Sequence, residues 1–597
     1  TTVQKMAKKI AAWMFLLLFP FLGVRATEIV VHNQEEYNKL KKQILTALSK
    51  GDKEIDVLFA PGTYHFNDNE LVISRIKAPE TKIRFIGNGA TLIPDGRGYH
   101  SGETYVGDFS YDNSWMAGTT DVTIWTQMRY ADELIEVVDD KINKCRMKSS
   151  AVRTFVAEPG MAYVNVTHWY NSSIYKIEKI EGDYIYFTAT DLKRSALKKD
   201  GYNVNDDFYF LKTNPRYRLC NVETGEVVLR IKDGKVVLPR GCNVVYEGRG
   251  TRFLTVQVSE LAGMEFEGFN FVGNKYQDAT SYIYFYEVAA KAVCIKNCTF
   301  TGLHGNPVSI VKTDNATIEG NTFTDCYYGG VISDNLSSNT RIMNNVFERM
   351  GLRRQSTYDI ICRGENYYIG NNTFMDYGHG AIGIGSWQHA KQERLSKGLV
   401  ENNLLTFTPA YLKEMEVNGL MDGGAIYIWT KNDGAVVRNN FINGFSGAGG
   451  NKGIFCDDGA YGFSLIGNVV TGIANSFCIT SRRVAVVEDA HTPGTDIEAS
   501  NINNVIRDNV VDGKVMFVGH ERKDNGCVMG NTYVLIARGG KMPENTVNNV
   551  TVEGGFIPLE STGMKKGRIG VSRTSYNVLK KSPAWKHVKG WFVRKNK

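Results

Sequence analysis

The sequence predicts an all-β chain wound as a solenoid of stacked coils, and three observations carry that prediction. A short Asn-plus-apolar phrase recurs as KNCTF (296–300), GNTF (320–323), NNVF (344–347), NNTF (371–374), RNNF (438–441) and GNVV (467–470). The phenylalanines Phe300, Phe323, Phe347 and Phe374 follow one another at 23, 24 and 27 residues. Between them lie short apolar strands and no helical periodicity. A repeat of that length cannot bury its inner face alone, so its coils must stack on one another.

The elements follow in order. Met6 opens a secretory signal: Lys8 and Lys9 supply the positive end, Ile10 to Leu22 the apolar run, and Val24-Arg25-Ala26 the small-x-small cleavage site. The run is short and Pro20 interrupts it, which argues against a membrane span, and no cysteine stands at the cleavage point to carry a lipid. The expectation is therefore a secreted or periplasmic protein, residues 1–26 being signal and upstream residues, with no stable membrane insertion once the signal is removed.

Residues 27–100 read as an N-terminal cap and first coils. Asn33 and Glu36 resemble a capping box, Tyr37, Leu40, Ile44 and Leu48 then recur at helical spacing, and Gly51 is placed to end the helix. Such a helix can cover the open end of a solenoid, whose strand edges would otherwise stay unpaired. IDVLFAPGTYHF (55–66) reads as strand, Pro-Gly turn, strand. Residues 101–250 break the rhythm. YIYF (184–187), FYF (208–210) and KVVL (235–238), with turns at 181–183 and 233–234, predict an inserted β domain. The short-strand rhythm runs from 251 to 555, and a basic extension, 556–597, closes the chain.

The formal charge is +7; removing the signal cations Lys5, Lys8, Lys9 and Arg25 leaves +3. That is too little to imply a nucleic-acid partner. Of the 10 cysteines, Cys294, Cys326, Cys362, Cys456 and Cys478 fall in apolar phrases with no CxxC pair, which predicts buried free thiols and neither disulfides nor a metal site. No cofactor is expected, and the chain reads as a monomer. The asparagines Asn297, Asn321, Asn345, Asn372, Asn440 and Asn468 are read as structural, since Asn tolerates the left-handed conformation and its amide can bond its equivalent one coil away.

Chemistry is sought on the outward face. Aligning one strand per coil on Val308, Val331, Ile382, Ile426 and Ile454 makes Ile310, Ile384, Ile428 and Cys456 the next inward positions. The following, outward position is then Val311, Asp334, Gly385, Trp429 and Asp457. Trp429 and Asp457 become lateral neighbours about 4.8 Å apart along the backbone stack, with Trp387 one coil earlier. A flat ring beside an acid suits sugar recognition. Hydrolysis of a glycosidic bond needs two carboxyl groups. The candidates are Asp422, in MDGGAIYIW (421–429), and the doublet Asp457-Asp458, in KGIFCDDGAYG (452–462), whose adjacent charges favour one protonated acid. Asp before Gly is also an ordinary turn residue. If 422–429 were one straight strand, Asp422 would lie roughly 23 Å from the Asp457 position, so that pairing requires a bend at Gly423-Gly424.

These phrases, with VLFAPGTYHF and NVETGEVV (221–228), resemble the right-handed parallel β-helix glycoside hydrolases, chiefly family 141 of fucosidase and xylanase type and more distantly the family 120 β-xylosidases. The resemblance covers most of 27–550. It implies a right-handed β-helix in which Asp422 and Asp457 or Asp458 are the acid pair. The family's Tyr-Leu-Asp-Asp stands here as Phe455-Cys456-Asp457-Asp458, a change on the buried side. The polygalacturonase order, NTD then DD then GHG, is absent: GHG (378–380) precedes the DD here and no NTD occurs. His379 of that GHG, Trp387 and Trp429 are expected to border the substrate groove. Two other classes stay open. A polysaccharide lyase would use groups such as Arg363, Arg482, Arg483 and His379 on a uronate; a non-catalytic glycan-binding β-helix would use the same face without turnover.

Overall fold

A computed structural model describes residues 26–66, 71–94, 252–273, 281–303, 306–326, 329–351, 358–385, 397–407, 423–429, 431–443, 452–457, 460–480 and 504–518, together with short strands within 128–237 and 528–594. Parallel strands stack coil on coil around one continuous core, each coil contributing to three faces. The first face includes Asn306–Val311, Val331–Ser333, Tyr358–Cys362, Gly380–Ile384, Gly424–Ile428, Lys452–Cys456 and Asn475–Thr480. The second includes Ala316–Glu319, Arg341–Met343, Tyr368–Gly370, Leu399–Glu401 and Lys431–Arg438. The third is a separate 13-stranded sheet running from Thr63–Phe66 to Asn549–Glu553.

Stacking begins before the long break in the rhythm. Leu254–Glu267 pairs in parallel with both Leu71–Ser74 and Lys77–Ile86, so the stacking of the first coils resumes at Leu254. Within that stretch a seven-stranded sheet is antiparallel at every pairing, including Tyr184–Thr188, and Arg230–Lys232 pairs antiparallel with Lys235–Val237. The expected FYF strand lies outside the described residues. At the N-terminal end the helix Gln34–Ser49 buries Tyr37, Leu40, Ile44 and Ala47, with Leu48 only partly covered. Asn33 caps it by accepting from the Glu36 N–H at 3.0 Å, while the Glu36 carboxylate reaches the His32 N–H instead of closing the box on Asn33. Gly51, at φ 75°, follows the helix in the left-handed conformation that glycine adopts without strain.

The Asn phrase does two jobs at two neighbouring positions. Asn344, Asn371, Asn402 and Asn439 take positive φ of 56–58° and turn the chain. The next residues, Asn321, Asn345, Asn372, Asn403, Asn440, Asn468 and Asn509, form a buried amide ladder. Asn372 shows the pattern: its Nδ2 donates to Ile342 O at 2.9 Å and to Asn403 Oδ1 at 3.0 Å, and its own Oδ1 accepts from the Asn345 N–H at 2.9 Å. Each amide is satisfied by the coil before and the coil after, so a polar group sits in the core without an unmet bond. Asn297 is structural, as expected, but through its left-handed turn and not through the ladder. It is the turn residue, at φ 53°, and Cys298 occupies the ladder slot, so that coil meets Asn321 through backbone alone, the Cys298 N–H donating to Asn321 Oδ1 and Ile295 O accepting from Asn321 Nδ2. Beside the ladder, Phe271, Phe300, Phe323, Phe347 and Phe374 stack at 4.6–4.9 Å between ring centroids, within 7° of parallel.

The thiols also divide. Cys298, Cys326, Cys362, Cys456 and Cys478 are buried, whereas Cys294 alternates outward between Val293 and Ile295 and is only half-buried. Burial pushes the Cys326 and Cys362 thiols up to about 12. They are packing groups at neutral pH. Among the described residues no helix is long and apolar enough to cross a membrane.

Candidate functional site on the first face

The first face keeps the predicted register with one coil added. Val308, Val331, Ile360, Ile382, Ile426 and Ile454 align, as do Ile310, Ser333, Cys362, Ile384, Ile428 and Cys456. The sequence alignment passed from Val331 straight to Ile382; the coil Tyr358–Cys362 lies between them. Its strand hides its alternation, because Ile360, Ile361 and Cys362 are all apolar and Asp359 is buried as well.

Two outward rows follow. The row between the inward positions reads Ser309, Ile332, Ile361, Gly383, Tyr427, Phe455 and Cys478. Continuing each strand by one residue gives Asp334, Arg363, Gly385, Trp429 and Asp457, tied coil to coil by backbone bonds such as Arg363 N–H to Ser333 O at 3.1 Å and Trp429 N–H to Ile384 O at 2.9 Å. Trp429 thus stands outward and half-buried, and Asp457 is one coil beyond it, its N–H bonded to Ile428 O at 2.9 Å.

Here the face stops being repetitive. Tyr358, Tyr427, Phe455 and Cys478 form a cluster of their own, outside the main core, with Trp429, Ile361 and Met516 packed against it. Trp429 lies 4.7 Å from the Tyr427 ring and 5.2 Å from the Tyr358 ring. This packing depends on the coil Gly380–Ile384. A Cβ at Gly383 would stand 2.8 Å from Trp429 Cζ3 and 3.2 Å from Tyr358 Cγ, so the missing side chain is the space the two rings occupy. Trp429 is therefore laid back over its neighbour's bare backbone and braced from the sides.

Charged groups sit around this aromatic floor. The Tyr427 hydroxyl donates to Asp457 Oδ2. That bond fixes the carboxylate at the edge of the floor and suits its ionised form. Arg363 places its Cζ 5.8 Å from the Trp429 ring centroid, although two coil steps separate them, about 9.6 Å of backbone rise. The two side chains lean toward each other across the glycine coil. Burial lowers the Arg363 guanidinium from its ordinary range, opposed by the charge of Asp334. Asp334 itself is held at home: its Oδ1 accepts from Ser337 Oγ at 2.6 Å, Lys312 N–H at 3.0 Å and Leu336 N–H at 3.2 Å.

His379 is only 7 % exposed. Its ring meets Tyr358 edge-on at 5.3 Å and lies 6.5 Å from Tyr427. It packs against the aromatic floor. Asp422, Asp458, Trp387, Arg482 and Arg483 lie outside the described residues. The strand after Asp422 runs without a bend, since Lys452 N–H bonds Gly423 O at 3.2 Å and Gly424 pairs with Lys452. From Gly424 to Trp429 is thus five extended steps, about 16 Å. Asp334 is four coil steps from Asp457, about 19 Å along the stack, too far for the two to share one glycosidic bond.

Sequence reasoning passed over Tyr427 and Tyr358. Tyr427 was findable, because a residue between two inward isoleucines must point outward; Tyr358 required the missed coil. Among the described residues no group of three or more His, Cys, Asp or Glu side chains could hold a metal ion.

The family model described as right handed beta helix region matches residues 261–442. The chain is an all-β, right-handed parallel β-helix. No curated protein matches the sequence. Among solved structures, one described as "Glycoside hydrolase" is 14 % identical with a TM-score of 0.49, covering 85 % of this chain and 96 % of that one. "The complex structure of XylC with xylose" is 10 % identical with a TM-score of 0.33, covering 91 % and 88 %. A "complex structure of alginate lyase AlyF-OU02 with G6" is 14 % identical with a TM-score of 0.26, covering 47 % and 78 %. At these identities and scores neither substrate nor reaction transfers from them to this chain.

Proposed function

We propose that this chain is an exported glycoside hydrolase of the family 141 type that cleaves glycosidic bonds on its first face by a two-carboxylate mechanism. The observation that carries this reading is the outward Asp457 carboxylate, held by the Tyr427 hydroxyl one coil from Trp429 on an aromatic floor. A sugar ring laid on Trp429 presents its anomeric carbon toward the neighbouring coil, where Asp457 stands. Asp457 would act as nucleophile or as base for a water. The proton for the leaving oxygen comes from a second acid, Asp458 or Asp422, and their separation from Asp457 sets retention or inversion. The extended run Gly423–Ile428 favours Asp458, because the bend that Asp422 requires does not lie within it.

One observation favours a second reading. Arg363 beside Trp429 could neutralise a uronate carboxylate, as a lyase requires, with a tyrosine or His379 taking the α-proton. Purified protein assayed on plant and host glycans separates the two. New reducing ends without ultraviolet absorbance from an unsaturated ring support hydrolysis; the absorbance supports elimination. Neither signal on any glycan, with binding retained, leaves a glycan-binding β-helix.

A further inference from the structure

We infer that Arg363 forms an anion subsite on the first face, so that the glycan taken there carries an oxyanion substituent, carboxylate or sulfate, on the sugar next to the one over Trp429. This rests on the first face being the glycan site and deepens it by naming the substrate's charge.

The argument starts from what the guanidinium lacks. Arg363 forms no ion pair among the described residues, and its Nε is shut away from water without a hydrogen-bond partner. Several other cations of the solenoid are matched by carboxylates. Lys296 pairs with Glu265 and Glu267, Arg349 with Asp325, Arg438 with Glu401, and Lys312 with Glu287. The acid nearest Arg363 in its own row, Asp334, spends one oxygen on three donors, Ser337 and Leu336 of its own turn and Lys312 N–H of the preceding coil. A half-buried guanidinium with no partner carries a desolvation cost that a structural role leaves unmet.

Position supplies the second argument. Arg363 and Trp429 converge across a coil whose outward positions are Gly383 and Gly385: the rings of Trp429 and Tyr358 take the place over Gly383, and the partly exposed guanidinium stands beside the Trp429 ring. Its planar donor fork suits a carboxylate or sulfate, which accept two parallel bonds. The Trp429 ring lies against the guanidinium on one side, its centroid 5.8 Å from Cζ. Asp457 lies on the opposite side of Trp429 from Arg363, one coil beyond the ring. The anion therefore sits away from the acid, on the adjoining sugar, and the two charges do not compete.

The test uses Asp457→Asn protein, in which turnover is removed, and calorimetric titration with three probes: oligogalacturonate, a sulfated galactan oligosaccharide and neutral xylo-oligosaccharide of equal length. One acidic probe is expected to bind at least tenfold tighter than the neutral one, the preference shrinking as salt rises. Which acidic probe wins assigns carboxylate or sulfate. Arg363→Met is expected to erase the preference and Arg363→Lys to keep part of it. If Arg363→Met does not fold, the salt dependence and Arg363→Lys still decide. Equal affinity for all three probes, or a preference that survives Arg363→Met, overturns the subsite. Unmutated protein assayed in parallel separates the two ideas: turnover with no charge preference sinks the subsite alone, and charge preference with no hydrolysis of any glycan sinks the hydrolase alone.

Discussion

The inside of the solenoid and the outside of its first face are built from the same coils by opposite rules. Inside, identical residues meet identical residues. An Asn amide bonds the next Asn amide, and a Phe ring stacks on the next Phe ring at 4.6–4.9 Å. Translation by one coil is the symmetry of the backbone, and like-on-like contacts are those that translation preserves. Outside, between Ile361 and Phe455, successive coils present Ile, Gly, Tyr and Phe in one row and Arg, Gly, Trp and Asp in the next. There the contacts join unlike groups from different coils: Trp429 over Gly383, Tyr427 to Asp457, Arg363 toward Trp429. In a repeat protein, function is legible as the place where the repeat is broken.

The sharpest way to break this comparison is Asp457→Asn. The amide keeps the shape and can still accept from Tyr427, but supplies no nucleophile or base. Turnover is expected to fall by about three orders of magnitude or more, with the melting temperature nearly unchanged. A variant that keeps a tenth of its activity would show that the carboxylate is only structural. The converse experiment strikes the interior. Asn372→Ala removes two donors and one acceptor from a fully buried ladder, leaving Ile342 O and the Asn345 N–H unmet. The expected loss is about 3 kcal/mol of stability, read from denaturant melts, with the Michaelis constant unaltered at a temperature where the variant is folded.

The same contrast explains what could be read from the sequence. The register came through because Ile382 and Ile384, Ile426 and Ile428 repeat the two-residue period at each coil. The outward placement of Trp429 and Asp457 followed from it. The ladder was legible as a repeat, but Asn297 shows why its members were not told apart from the turns: turn residue and ladder residue are adjacent asparagines in most coils, and sequence alone does not separate them. The coil Tyr358–Cys362 was lost because four consecutive buried or apolar residues carry no alternation. The site's packing was not legible at all. That Gly383 is empty so that Trp429 and Tyr358 can meet over it is a relation between three coils, and no local pattern encodes it.

Asp359 tests the interior from another side. It is buried in the strand of the missed coil, neither oxygen has a hydrogen-bond partner, and burial raises its carboxyl well above the ordinary value. Asp512 is likewise pushed up to about 6 by burial, against the pull of the Gly472 N–H. A raised carboxyl costs nothing below the unfolded value near 4, where both states are protonated. As pH rises past that point only the unfolded chain ionises, so stability falls until the folded group ionises too. For Asp512 that window is about pH 4 to 6; for Asp359 it runs upward from about pH 4. Asp359→Asn removes the ionisation while keeping the shape. Its melting temperature is expected to exceed that of the unmutated protein at pH 7 and to converge with it near pH 4. A constant difference across that range would mean that Asp359 does not titrate in the core.

The smallest change probes the outer face where it departs most from the repeat. Gly383→Ala adds one methyl at a position whose backbone has no positive φ, so alanine itself is unstrained there. The methyl would lie 2.8 Å from Trp429 Cζ3 and 3.0 Å from its Cη2, closer than real contacts allow. Trp429 is at the surface and can give way, so the cost in stability is expected to stay near 1 kcal/mol, the low end for overpacking. What is lost is the tilt of the ring and its approach to Arg363. The Michaelis constant, or the dissociation constant in the Asp457→Asn background, should rise severalfold while the turnover number changes little, because Asp457 and Tyr427 stay in place. Trp429→Ala should raise it further, and the double variant should be no worse than Trp429→Ala alone, since both act through one ring. Additive losses would mean that Gly383 serves something other than the seat of Trp429, and the aromatic floor would have to be redrawn around Tyr358.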